Sequence, residues 1–214
     1  MRSARIRSGK VDVFGNVVLY CAAVIGLIVV LGFATASQAG VSPIMACDSS
    51  GIGSVTLVAD VPGVTIQGVS TGTAVSGSSA VPYCLVKVLV PQAINIWVGL
   101  PMGGMWNQRL QSEGGGGYAG TVNIPTNSIL GGYVGIQTDT GHTGSTGSFG
   151  MIPPVPPATV GSPNIPLQID FSSRSLHLMA VMGKQLTQAF YGKQPLYSYW
   201  NGCSTGGRQG LAMA

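Results

Sequence analysis

The sequence predicts an α/β fold, and three observations lead to that prediction. Several β-rich runs fill the first half of the chain, an amphipathic helix follows from about residue 170, and a short aromatic strand leads through a tight turn into a further helix. Helix, strand, tight turn and helix is the order that an α/β sheet with right-handed crossovers requires. The 214 residues are enough for one medium-sized domain.

The first 39 residues predict an export signal. Four basic residues in the first ten positions precede an uncharged apolar stretch at 17–36, and Ser37-Gln38-Ala39 follows it. Small residues at alternate positions fit a signal-peptidase site, so we expect cleavage after Ala39 and a secreted or periplasmic protein. The apolar run is also long enough to span a bilayer, so an uncleaved membrane anchor is the competing interpretation. We expect contact with a membrane only through this segment.

From residue 40 onward the charges nearly balance. This part of the chain has six Lys and Arg residues against five Asp and Glu residues, so most of the net charge of +4 comes from the N-terminal segment. No basic cluster remains that could neutralise a row of phosphates. We therefore exclude nucleic acid as a partner.

The β-rich part is predicted between residues 51 and 138. Alternating apolar and small polar residues indicate short strands between 51 and 80, for example at 55–58 and 64–66. Runs at 84–90 and 94–100, separated by Pro91-Gln92-Ala93, indicate a hairpin or meander at a sheet edge. A further strand is predicted at 130–138.

A loop and a helix are predicted next. Residues 151–166 contain six prolines, which favours an extended surface loop. The helix is predicted to begin near Asp170, which with Ser172 and Ser173 could cap the free amides, and to end at Gly192 and Pro195. Apolar or small residues recur along it at helical spacing: Leu176, Met179, Ala180, Gly183, Leu186 and Phe190.

The candidate chemistry lies in the turn after the strand predicted at 196–200. Gly202-x-Ser204-x-Gly206 matches the pattern in which small flanking residues allow a sharp strand-to-helix turn to expose a serine hydroxyl. Ser204 is therefore the candidate nucleophile, and the Thr205 amide at the helix N-terminus is a candidate oxyanion donor. A plain Gly-Ser-rich turn is the alternative interpretation.

A second oxyanion donor is expected from the four consecutive glycines at 114–117. Acyl transfer needs amides that are aimed at the developing oxyanion, and glycines leave the backbone open to an approaching carbonyl. We assign this role to the amides of Gly116 and Gly117. The strand, helix and acidic residue of a dinucleotide site are missing around these glycines, so a flexible loop is the remaining alternative.

Four segments together resemble the tannase and feruloyl esterase family. They are Trp106-Asn107 through Arg109, the glycines 114–117 with Tyr118-Ala119-Gly120, Thr138-Asp139-Thr140-Gly141-His142, and the run from Tyr197 to Gln209. The resemblance implies an α/β-hydrolase core that hydrolyses aromatic carboxylic esters, of tannin or feruloyl type, by a Ser, Asp, His triad. It also implies a large lid after the nucleophile, which in this family often binds calcium.

On this basis residues 40–214 are expected to be the N-terminal portion of a catalytic domain, ending just after the nucleophile turn. The lid, the C-terminal half, the triad Asp and His and any calcium site are expected beyond residue 214, because acid and histidine follow the serine in chain order. We therefore leave His142, His177 and the turn residue Asp139 out of the triad. The 214 residues alone are expected to be inactive and to contain no metal site and no cofactor.

Three cysteines follow the export signal: Cys47, Cys84 and Cys203. An odd number in an oxidising compartment implies a free thiol or a partner outside the chain. The resemblance implies that Cys203 is bridged to a cysteine beside the catalytic histidine. We predict a disulfide between Cys47 and Cys84, because both follow the export signal and Cys84 begins a predicted strand. Cys203 has no nearby activating base, which argues against a thiol nucleophile.

Two other functions stay open. One is hydrolysis of other aromatic esters, such as the monoesters released from synthetic polyesters, because the residues of the lid decide the substrate. The other is an exported binding module whose nucleophile turn is inactive. A downstream Asp and a His adjacent to a Cys would favour the enzyme.

Overall fold

A computed structural model describes residues 40–158 and 160–214, so the predicted export signal lies outside the described residues. The described chain forms a six-stranded mixed sheet with helices, which confirms the predicted α/β class. In spatial order its strands are β1 (Thr65–Ser76), β2 (Ser79–Val90), β3 (Ile94–Pro101), β5 (Val134–Thr138), β4 (Arg109–Glu113) and β8 (Tyr197–Asn201). None of the described helices is both long and apolar enough to cross a bilayer.

The sheet has an antiparallel half and a parallel half. Strands β1, β2, β3 and β5 pair antiparallel in that order, whereas β4 lies parallel to both β5 and β8. The carboxyl ends of the three parallel strands therefore meet at one edge of the sheet, where open α/β sheets bind their ligands. The loops that follow these strands contain the glycines 114–117, His142 and Ser204.

The predicted hairpin of β2 and β3 is confirmed, with Val90 opposite Ile94, but its place at a sheet edge is wrong. Strand β1 covers the outer side of β2, because residues 65–76 form one strand of twelve residues instead of several short ones. The strand predicted at 55–58 does not form; a 3₁₀ turn at Ile52–Ser54 precedes this stretch. Strand β5 begins only at Val134, because Leu130 ends helix α1 (Thr126–Leu130).

The long helix begins before the predicted position. Helix α2 (Ile165–Ile169) continues through a π-helical segment, Asp170–Arg174, into helix α3 (Ser175–Tyr191). The Asn164 side chain caps this helix by accepting from the Leu167 amide, and Pro166 occupies the first turn, where its missing N–H costs nothing. Asp170 therefore lies inside the helix, where its carboxylate pairs with Arg174. The predicted end is confirmed, because Gly192 adopts a left-handed φ of 69°.

The remaining elements are short. The proline-rich region is mostly exposed, as predicted, but it is extended only in a small hairpin of β6 (Met151–Ile152) and β7 (Ser162–Pro163), and its last two residues belong to helix α2. A 3₁₀ turn at Gly147–Gly150 precedes this hairpin. The last described element is helix α4 (Thr205–Met213), which starts directly after the candidate nucleophile.

Helix α3 packs its apolar face on the sheet. Gly183 allows the closest approach, since a Cβ there would lie 2.8 Å from Ile136 Cγ2 on β5. Trp106 stacks on Tyr191 with 4.1 Å between ring centroids, and the Tyr191 hydroxyl donates to the Pro101 carbonyl at 2.7 Å. Burial raises the pKa of Tyr191 well above its ordinary value. Of the predicted apolar positions on this helix, all are buried except the half-buried Ala180.

The predicted disulfide between Cys47 and Cys84 is confirmed, with 5.7 Å between the Cα atoms. Cys84 is fully buried on β2, so the bridge ties the chain N-terminal to β1 to an inner strand of the sheet. Cys203 forms no disulfide with the other described cysteines and is exposed.

Replacing Cys47 with Ala in the full-length natural protein should lower the free energy of unfolding by about 2–4 kcal/mol, because a cross-link between residues 37 apart restricts the unfolded chain. Cys47 is half-buried and packs against the core, so the loss of that packing adds to the effect. Denaturant unfolding measures the loss, with Ser49→Ala as the control at an exposed neighbouring position. Equal stability of Cys47→Ala and the control would contradict the prediction.

Candidate active site

Ser204 lies in a sharp, strained turn between β8 and α4. Its φ of 56° and ψ of −124° fall in a region that residues with a side chain rarely adopt. Such a conformation costs about 1–3 kcal/mol and persists only where its surroundings enforce it. The side chain is exposed at the carboxyl edge of the parallel strands. This is the geometry expected of a nucleophile turn.

Close backbone contacts explain the glycines on either side of Ser204. A Cβ on Gly202 would lie 2.7 Å from the Gly206 carbonyl carbon and oxygen, and a Cβ on Gly206 would lie 2.9 Å from the Gly114 oxygen. The indole N–H of Trp200 donates to the Gly206 carbonyl at 2.7 Å and fixes the start of the helix. Larger residues at 202 and 206 would force the turn apart.

The amide of Thr205 is free at the start of α4. The next two amides donate backward into the turn, from Gly206 to Cys203 O and from Gly207 to Ser204 O, each at 2.9 Å. The Thr205 amide donates no hydrogen bond within residues 40–158 and 160–214. The positive end of the helix dipole adds to its preference for a negative charge.

The glycine loop, residues 114–120, lies directly beside this turn. Strands β4 and β8 end side by side, with Glu113 opposite Asn201, and the Gly114 amide continues the pairing by donating to Asn201 O at 2.8 Å. The Gly115 amide donates to the side-chain oxygen of Gln209 on α4 at 3.1 Å. The amides of Gly116 and Gly117 make no hydrogen bond to any described residue.

Two polar residues fix the start of this loop, and the sequence predicts no separate role for either of them. Gln209 is 1% exposed and links α4 to the glycine loop. It belongs to the family-like run from Tyr197 to Gln209, but its contact with Gly115 depends on the tertiary fold. Ser128, fully buried on α1, donates from its amide to Glu113 at 3.1 Å, and its hydroxyl lies 2.6 Å from the same carboxylate oxygen. The polar end of β4 thus anchors α1 just before the glycines begin.

The loop after β5 contains Asp139, which is predicted to lie in a turn and to take no part in the triad. One carboxylate oxygen accepts hydrogen bonds from the amides of Gly141 and Asn95, each at 2.9 Å, and the other accepts from the Asn95 side chain at 2.6 Å. Burial raises the pKa of Asp139, although these hydrogen bonds oppose the shift. The carboxylate therefore shapes a turn, as predicted.

The two histidines occupy different environments. His177 is exposed on α3, whereas His142 is buried in the loop after β5, where burial lowers its pKa. Neither histidine hydrogen-bonds to Ser204, and no described side chain does so. Among the described residues no three His, Cys, Asp or Glu side chains cluster as metal ligands would.

The parallel half of the sheet, the strained serine turn and the adjacent glycine loop define the class of an α/β-hydrolase core. The chain belongs to the tannase and feruloyl esterase family, because residues 81–214 match the family model described as "Tannase and feruloyl esterase". The family expected from the sequence motifs is thus confirmed.

Three known proteins illustrate the similarity. A probable feruloyl esterase of Arthroderma benhamiae is 42% identical over 123 residues, which are 56% of this chain and 22% of that protein. The crystal structure of feruloyl esterase B from Aspergillus oryzae has a TM-score of 0.57 and 27% identity, covering 71% of this chain and 31% of that one. Tannin acyl hydrolase from Aspergillus niger shares the fold, with a TM-score of 0.59 at 22% identity, covering 79% and 35%. The chain therefore spans about a fifth to a third of the length of these proteins.

Gly206→Ala should destabilise the full-length protein by about 1–3 kcal/mol, because the new methyl group would press on the Gly114 backbone. Gly207→Ala is the matched control one residue along the same helix, where the nearest atom to a new Cβ is 3.8 Å away. The control should match the parent or exceed it by up to about 1 kcal/mol, since alanine favours helix. Equal effects of the two variants in denaturant unfolding would show that Gly206 is not closely packed.

Proposed function

We propose that the full-length natural protein hydrolyses carboxylic esters of aromatic compounds and that Ser204 is its nucleophile. The observation that carries the proposal is the strained turn of Ser204 beside the unpaired amides of Thr205, Gly116 and Gly117. The relatives named feruloyl esterase support the class of substrate.

In the proposed reaction the Ser204 oxygen attacks the ester carbonyl carbon, and a general base takes the hydroxyl proton. The carbonyl oxygen becomes an oxyanion, which the Thr205 amide and the amides of Gly116 and Gly117 stabilise. The alcohol then leaves with a proton, and water hydrolyses the resulting acyl-serine ester by the same steps. The water-derived proton returns to serine at the end.

We assign the general base and its supporting acid to sequence other than residues 1–214. The exposed His177 lies on α3, and the buried His142 faces the glycine loop instead of the serine hydroxyl. We assign any calcium ion and the disulfide partner of Cys203 to that same sequence. An exported, secreted or periplasmic location suits the Cys47 to Cys84 disulfide, which forms in oxidising compartments.

Ser204→Ala in the full-length protein should reduce hydrolysis of a nitrophenyl ester and of an alkyl ferulate by at least about a thousandfold, because no other described group could replace the hydroxyl. Ser79→Ala, exposed in the hairpin of β1 and β2 on the opposite side of the sheet from β8, is the control and should keep parental activity. Turnover that survives in Ser204→Ala would exclude Ser204 as the nucleophile.

Residues 40–214 expressed alone should show no turnover of the same nitrophenyl ester above that of their own Ser204→Ala variant. Without an imidazole to accept its proton, Ser204 keeps the reactivity of an ordinary alcohol. Circular dichroism of the same sample reports whether the segment is folded. Turnover that depends on Ser204 would mean that His142 or His177 acts as the base.

A further inference from the structure

The far end of the glycine loop is held by the loop after β5. Gly120 and Gly144 exchange two backbone hydrogen bonds, of 3.1 and 3.0 Å. The ring of His142 lies against the same glycine, since a Cβ on Gly120 would be 2.7 Å from Cδ2 and 2.8 Å from Nε2 of the imidazole. The ring and the Gly144 carbonyl oxygen, which would be nearer still, together fill the space that a side chain at position 120 would need.

The imidazole is itself held in one orientation. His142 is 6% exposed and stacks on Phe149 with 3.8 Å between the ring centroids, and Phe171 meets its edge at 5.8 Å. Its Nδ1 lies 3.2 Å from the Thr140 hydroxyl oxygen. Its Nε2 is buried without a hydrogen-bond partner among the described residues.

The middle of the glycine loop has no comparable support. Gly114 and Gly115 are tied to Asn201 and Gln209 at one end, while the amides of Gly116 and Gly117 are unpaired. A Cβ at either of these two glycines would meet no atom within 4 Å. Four successive glycines have wide conformational freedom, so the position of the middle amides depends on how both ends are fixed.

We infer that His142 is a positioning residue, whose ring packs on Gly120 and so holds the Gly116 and Gly117 amides where they can meet the ester oxyanion. This role rests on the proposed ester hydrolysis, but it requires no contact of His142 with the substrate or with Ser204. It explains why a histidine outside the triad is buried between aromatic rings and a glycine backbone.

The role requires a neutral ring. Burial lowers the pKa of His142 below 6.5, whereas the Tyr118 and Thr140 backbones and the Asp139 carboxylate favour the charged form. Two other charged groups lie beside neighbours of the ring: the Arg208 guanidinium is 5.0 Å from the Phe171 ring, and the Asp170 carboxylate is next to Gly141. The pKa of His142 is therefore lower in the folded than in the unfolded protein. The stability that the packed neutral ring contributes is present above about pH 6.5 and is lost as the pH falls, because the unfolded chain then binds the proton more readily.

The test compares His142→Ala and His142→Phe in the full-length protein with a nitrophenyl ester. His142→Ala should lower kcat about tenfold or more with KM within about twofold, because oxyanion donors act on the transition state. His142→Phe restores the ring and should recover kcat to within about threefold of the parent at neutral pH. Parental kcat in folded His142→Ala, or a loss that Phe fails to rescue, would overturn the inference.

Two further measurements test the same role without His142→Ala, in case that variant does not fold. Gly120→Ala, whose new methyl group would displace the His142 ring together with the Gly144 carbonyl, should lower kcat about tenfold, while Gly68→Ala, where a new Cβ meets nothing within 4 Å, should not; equal kcat values would overturn the inference. Between about pH 7.5 and about pH 5 the unfolding midpoint of the parent should fall more than that of His142→Phe, and equal falls would also count against it. Parental activity that survives Ser204→Ala would instead refute the proposed nucleophile.

Discussion

The parallel pairing of β4 with β8 is the interaction on which the candidate site depends. It sets Glu113 opposite Asn201, so both strands end at the same level and the chain leaves each of them through glycines. The pairing continues one residue further, from the Gly114 amide to the Asn201 carbonyl. The backbones of Gly114 and Gly206 then approach so closely that neither position has room for a Cβ. The serine turn and the glycine loop therefore form one packed unit.

Such a unit can maintain a strained residue. Ser204 has a positive φ, and the contacts around it are made by groups with little freedom to relax: the Trp200 indole on the Gly206 carbonyl and the buried Gln209 side chain on the Gly115 amide. The first bond ties α4 to β8 and the second ties it to the glycine loop, while the Thr205 amide donates to no described residue. Strain at the serine and unpaired amides beside it thus arise from the same packing.

The sequence allowed the local features of the site to be predicted, because they depend on residues close together in the chain. The Gly202, Ser204 and Gly206 pattern, the hairpin of β2 and β3 and the end of α3 at Gly192 are of this kind. The start of the helix was misplaced because the Asn164 cap and Pro166 lie within a proline-rich stretch that favours a loop.

Contacts between distant segments could not be predicted. The bond from Gly115 to Gln209 joins residues 94 apart, and the packing of His142 on Gly120 depends on the register of β5 beside β4. Likewise, β1 became a single long strand because it pairs along nearly all of β2, which local composition does not reveal. The contact of the Glu113 carboxylate at the end of β4 with the buried Ser128 on α1 is likewise set by the tertiary fold.

The most direct test of this account is a crystal structure of the full-length protein after reaction with an aryl phosphonate ester, which mimics the tetrahedral intermediate. The account predicts a covalent bond from phosphorus to the Ser204 oxygen. It also predicts that the phosphonyl oxygen accepts hydrogen bonds of about 2.7–3.1 Å from the Thr205 amide and from the amide of Gly116 or Gly117. Phosphorus bonded elsewhere, or an oxygen bound by donors outside the glycine loop, would contradict it.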